Sequence, residues 1–142
     1  FIFGDNEIRY EPGISNTRIK GGNSNWRGPV WFPTTFMMIE SLKKLGSFYK
    51  ERVKIPFHGK EMTLDEMAKE FSENLIKIFK TDPQGQRPVF GKNNKFRNDP
   101  HFKDYLLFYE YFHGETGEGL GASHQTGWTG LIATIINEWR KG

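Results

Sequence analysis

The chain has 142 residues and no cysteine, which excludes a disulfide framework and thiol chemistry and leaves the compartment open. It has no apolar run near the roughly 20 residues that a membrane helix needs, and its first residues do not read as a signal peptide. Excess charge of one sign is scarce too. Twenty Lys and Arg against seventeen Asp and Glu give a net +3 and a pI near 9.1, with no basic stripe to suit nucleic acid. A Gly-x-Ser-x-Gly elbow is missing, so with Cys absent nothing supports nucleophilic Ser or Cys catalysis. Hydrophobic residues make up only 36%, below the roughly 45–50% usual for globular chains.

Aromatics compensate for that shortage. Phe, Trp and Tyr are 15% of the chain and bury large areas from few residues. Sixteen Gly and seven Pro point to long, shaped loops. The length fits one domain or a piece of a larger one, and a start at Phe1 rather than Met is expected of a segment from a longer polypeptide.

Residues 1–32 read as irregular, with Gly21-Gly22-Asn23-Ser24-Asn25 as a flexible turn. Pro33 suits the first turn of a helix that continues through Phe36, Ile39, Leu45 and Tyr49 to about residue 52. Gly46 weakens that helix by about 1 kcal/mol relative to Ala. Thr63-Leu64-Asp65-Glu66 is a capping box, and Leu64, Met67, Ala68, Phe71, Leu75, Ile78 and Phe79 form one apolar stripe up to Lys80. Residues 83–104 show no period, with Gln86 to Phe90 as a brief extended piece. Leu106 to Phe112 is an apolar and aromatic run short for a helix; as a strand it would place Leu106, Phe108, Glu110 and Phe112 on one face and Tyr109, Tyr111 and His113 on the other. Trp128, Leu131, Ile132, Ile135, Ile136 and Trp139 mark a final amphipathic helix. Three helices joined by long loops favour a site built on loops.

Tyr109-Glu110-Tyr111-Phe112-His113 sets a carboxylate among aromatic rings, ahead of a loop containing Gly114, Gly117, Gly119 and Gly121. Aromatic faces suit sugar rings, and a carboxylate beside them suits proton transfer. The glycines lack the Lys of a phosphate loop and the dinucleotide spacing; a hairpin turn is the plainer reading. Trp26, Arg27, Trp31 and Trp128 add stacking surfaces and a hydrogen-bonding fork, although core packing is the default for any Trp. His113, His124, Glu115 and Glu118 match no metal-ligand spacing, and no metal or other cofactor is expected.

Asn23-Ser24-Asn25-Trp26-Arg27-Gly28-Pro29-Val30-Trp31-Phe32-Pro33 resembles the Trp-Arg-Gly-Pro segment of glycoside hydrolase family 63, the family of processing α-glucosidase I. Phe108-Tyr109-Glu110-Tyr111-Phe112 and His124-Gln125-Thr126-Gly127-Trp128-Thr129-Gly130-Leu131 are similar to its C-terminal signature, in the same order. The resemblance implies a mainly α fold, with residues 1–142 as a single segment: the C-terminal part of an (α/α)6 barrel catalytic domain with long loops and a short β-hairpin near the active site. It implies inverting hydrolysis of α-glucosidic, or related α-mannosidic, bonds in an oligosaccharide substrate. Glu110 matches the general base. Trp26, Arg27, Trp31, Trp128, His124 and Gln125 are the implied substrate-binding residues.

Inversion needs two carboxyl groups roughly 6.5–9.5 Å apart. The acid Asp of such enzymes lies upstream of the Trp-Arg-Gly-Pro segment, and Asp5 in Gly4-Asp5-Asn6-Glu7 lacks its context. The isolated segment is therefore expected to be inactive. The rest of a parent domain, or a second copy, would cover its open helix faces. No nucleic acid or membrane partner is expected. Two alternatives stand beside this reading: a carbohydrate-binding module without catalysis, and a structural all-α fragment.

Overall fold

A computed structural model describes residues 1–16 and 26–139. The expected turn at Gly21-Gly22-Asn23-Ser24-Asn25 lies outside the described residues. The chain opens on a small antiparallel pair, β1 (Ile2–Phe3) and β2 (Asn6–Glu7), where an irregular stretch was expected. Helix α1 (Phe32–Tyr49) carries its Pro in the first turn, where a missing N–H is no loss. It buries Phe32, Ile39 and Gly46, with Gly46 against the Asp65 side chain. Its opposite face leaves Met37, Met38, Leu45 and Phe48 exposed.

After a 3₁₀ turn at Lys50–Arg52, β3 (Lys54–Phe57) and β4 (Lys60–Thr63) form a hairpin. His58 and Gly59 both have positive φ, as a two-residue hairpin turn requires. Thr63 then starts α2 (Leu64–Phe79). Its hydroxyl accepts from the Glu66 N–H at 3.2 Å, and its own N–H donates to Glu66 Oε2 at 2.7 Å. The bond from the Thr63 N–H, and then the Thr63 hydroxyl, hold the Glu66 carboxyl below the ordinary carboxylate range. The predicted capping box thus forms in full.

A 3₁₀ turn at Pro88–Phe90 replaces the extended piece expected there, and α3 (Asn94–Asn98) follows. Strands β5 (Tyr111–Phe112) and β6 (Gly119–Leu120) pair as Tyr111 with Leu120 and Phe112 with Gly119. The last helix is split at Gly130 into α4 (Thr126–Thr129) and α5 (Leu131–Trp139). Among the described residues no helix is long and apolar enough to cross a membrane.

One core joins these elements. Phe32, Phe79 and Phe112 meet edge to face with ring centres 5.4 to 6.1 Å apart, and Ile39, Leu75, Val89, Ile132 and Ile135 close around them. Lys43 of α1 clasps α5 through Glu138 at 2.7 Å while bonding Glu40 at 2.8 Å, and these carboxylates raise its pKa.

The expected mainly α architecture, part of an (α/α)6 barrel, is corrected by this structure. The chain is mixed α/β: five α-helices, two of them five residues or shorter, alternate with three two-stranded antiparallel sheets among the described residues. It is too small for such a barrel portion. The apolar stripes do form helices, but the segments between them fold as hairpins. Their strands, two to four residues long, leave no run of alternation long enough to read in a sequence.

Candidate functional site

Two consecutive pairs of residues build the site. Val30 bridges to Phe112 through both backbone hydrogen bonds, 2.8 and 2.9 Å, which fixes the first segment against β5. Beyond that bridge, Phe32 and Phe112 enter the core, while Trp31 and Tyr111 stack on each other at 4.6 Å. Trp26 stacks on the other face of this pair, 4.1 Å from Trp31, and Trp128 meets Trp31 edge-on at 6.2 Å. The core thereby pins the floor of an aromatic stack. Trp31 and Tyr111 are buried, whereas Trp26 is 53% exposed and forms the outer plate.

Glu110 is half-buried, and its carboxylate lies near the Cε1 edge of the Tyr111 ring. Its backbone N–H donates to the Ala122 carbonyl at 2.8 Å, and Ala122 N–H returns a bond to Glu110 Oε2 at 3.1 Å. Gly121, at φ +72°, makes that return possible. A side chain there would fall on the Glu110 carboxylate and the Tyr111 ring. Burial, and then the charge of Glu110, push the Tyr111 phenol above its ordinary pKa. Burial, and then Glu118, do the same for Tyr109.

Leu106 to Glu110 does not form the strand that the sequence allowed; only Tyr111 and Phe112 belong to one. Three successive carbonyls are taken instead by the turn and helix at Gln125–Thr129. Phe108 O accepts from Gln125 N at 2.6 Å, Tyr109 O from Thr129 Oγ1 at 2.6 Å, and Glu110 O from Trp128 Nε1 at 3.0 Å.

The structure brings Trp26, Trp31, Trp128 and Glu110 together, in unequal roles. Trp31 lies beneath Trp26 with no open face. Gln125 acts through its backbone, accepting from Trp128 N and Thr129 N at the start of α4. His124 is exposed, and among the described residues it has no hydrogen bond, ion pair or ring contact. Arg27 reaches Glu11, 3.4 Å from its Nη2. His113 accepts at Nδ1 from the N–H groups of Glu115 and Thr116, at 3.2 and 3.3 Å, so its neutral ring carries the proton on Nε2.

Glu11, Tyr111, Ala122 and Thr129 were not among the expected site residues; Tyr111 and Thr129 lie within the quoted motifs, whereas Glu11 and Ala122 carried no signal in the sequence. A cavity of about 670 Å³ opens beside Glu11, lined by Arg9, Tyr10, Ile14, His113 and Leu120. A second, of about 460 Å³, lies under the 113–117 turn against Phe71, Leu75 and Ile78, and neither Glu110 nor any Trp lines it.

No protein-family model matches this chain, and no solved structure does. The chain is similar to an uncharacterized protein of Saccharomyces cerevisiae (strain ATCC 204508 / S288c), YMR196W, at 44% identity over 136 residues. That match takes in 92% of this chain but only 12% of the yeast protein, so in that relative the segment is embedded in a far longer polypeptide.

Proposed function

We propose that this chain supplies the base half of a glycoside-hydrolysing site of the family 63 type, which cleaves α-glucosidic or related α-mannosidic bonds with inversion. One observation carries the reading: Glu110 Oε2 is held by the Ala122 N–H at 3.1 Å, next to the inner ring of a stack whose outer plate, Trp26, is open to solvent. A fixed carboxylate can orient a water molecule, and an exposed indole face can receive a sugar ring.

In this reading Glu110 takes a proton from water as the oxygen attacks the anomeric carbon. A carboxylic acid on the opposite side protonates the leaving oxygen as the glycosidic bond breaks. That acid is an Asp upstream of this chain. Polypeptide outside the segment is thus required for turnover, which suits the small share of the yeast relative that the chain matches.

The test is kinetic, on the complete polypeptide. Glu110→Gln should lower turnover of α-glucosides by several powers of ten and leave sugar binding nearly intact. Turnover near the wild-type value would remove Glu110 from the chemistry. Sugar binding without hydrolysis by the complete wild-type protein would favour a carbohydrate-binding module instead, a reading supported by the open face of Trp26.

A further inference from the structure

Glu11 is the one carboxylate that is buried among the described residues, 6% exposed. A buried charge is tolerated only with partners. Its Oε2 accepts from Ser15 Oγ and from Arg27 Nη2, the latter at 3.4 Å, and its Oε1 lies 3.6 Å from Arg9 Nε. The backbone repeats the link. Glu11 N–H donates to Arg27 O at 3.4 Å, and the Glu11 carbonyl lies against Gly28. One residue on, Pro12 O accepts from Gly114 N at 2.8 Å, tying the same segment to the loop that follows β5.

Arg27 adjoins Trp26, the outer plate of the stack, and its side chain stays 28% exposed. A long guanidinium side chain at a surface has many rotamers to choose from, so an oriented one needs a fixed counter-charge. Glu11 is such a counter-charge: buried, bonded by Ser15, and set on backbone that pairs with that of Arg27.

We infer that Glu11 is a positioning residue of the sugar site, which holds the Arg27 guanidinium, one residue along the chain from Trp26, in place to receive hydroxyl groups of a bound sugar. The inference rests on the carbohydrate reading above and adds to it a residue that works through Arg27, without touching the reacting atoms.

The test is a double-mutant cycle on the full chain, with maltotriose as the probe and calorimetry as the readout. Arg27→Gln and Glu11→Gln should each weaken binding by about tenfold, the loss of one charge-assisted hydrogen bond. The double variant should be no weaker than Arg27→Gln alone, because both changes remove the same contact. Glu11→Asp, which keeps the carboxylate, should stay within about threefold of wild type. Independent losses that multiply to about a hundredfold, or wild-type affinity in Glu11→Gln, would overturn the role of Glu11 and leave the carbohydrate reading standing. Absence of binding by every variant and by wild type would instead overturn sugar recognition by this chain, and Arg27's part in it. Melting curves of the same proteins exclude unfolding as the cause of any loss.

Discussion

The indole N–H of Trp128 donates to the backbone carbonyl of Glu110 at 3.0 Å, across eighteen residues of chain. The tryptophan that the sequence offered as a sugar contact is first the anchor of the candidate base. Trp128→Phe keeps an aromatic ring and deletes the donor, so the carbonyl loses its partner. The variant should lose about 1–2 kcal/mol of stability. Chemical denaturation measures it, and an unchanged midpoint would remove the anchor.

Gly121 faces the other side of Glu110. Gly121→Ala combines a left-handed backbone, φ +72°, with a methyl group placed on the Glu110 carboxylate and the Tyr111 ring. Gly59→Ala is the control. Its φ is +76°, yet nothing lies within 4 Å of the added methyl, so it carries the conformational term alone, about 1 kcal/mol. Gly121→Ala should be the more destabilising of the two in urea titrations. Equal losses would mean that the space around Glu110 is not tight.

Tyr111 reports the Glu110 charge directly. Its phenol, raised mainly by burial and further by Glu110, should ionise above the ordinary tyrosine value in an ultraviolet titration. Glu110→Gln should bring Tyr111 part of the way back, because burial remains. The folded state favours the neutral phenol, so its contribution to stability is complete below the ordinary value of 10.0 and fades as pH rises through the higher folded value. A Tyr111 titration unmoved by Glu110→Gln would separate the two groups.

Lys43 gives a second pH signature, away from the site. Its pKa is raised chiefly by the hydrogen bond to Glu138 and next by that to Glu40. The clasp between α1 and α5 should therefore contribute fully below the ordinary lysine value of 10.5 and disappear as pH climbs through the folded value. Lys43→Met should lower stability by no more than about 1 kcal/mol at neutral pH, since the pair is partly exposed. The gap between the two proteins should close in strongly alkaline solution. A gap that persists there would assign the loss to packing.

Local signals in this chain operate over three or four residues, and those were legible. The Thr63 capping box, Pro33 in its first turn, and the stripes of α2 and α5 depend on neighbours along the chain, and each stands where its spacing predicts. The β3–β4 hairpin was missed although His58-Gly59 marks its turn. Lys54-Ile55-Pro56-Phe57 has no clear alternation, and a Pro argues against a strand that is not at an edge. Reading the helical stripes as the frame of the fold produced the mainly α, barrel-type expectation that the three small sheets overturn.

The sequence by itself determined which residues could form helices, and it set Glu110 between two tyrosines. Only the tertiary structure decided which face each aromatic presents. The Val30–Phe112 bridge joins distant segments of the chain and sends Phe32 and Phe112 into the core, with Trp31 and Tyr111 left to stack outside it. It also decided that Glu11 is buried beside Arg27 and that His124 is exposed. Pairing across long loops depends on closing those loops against the core, a property of the whole packed chain that no short window of sequence contains.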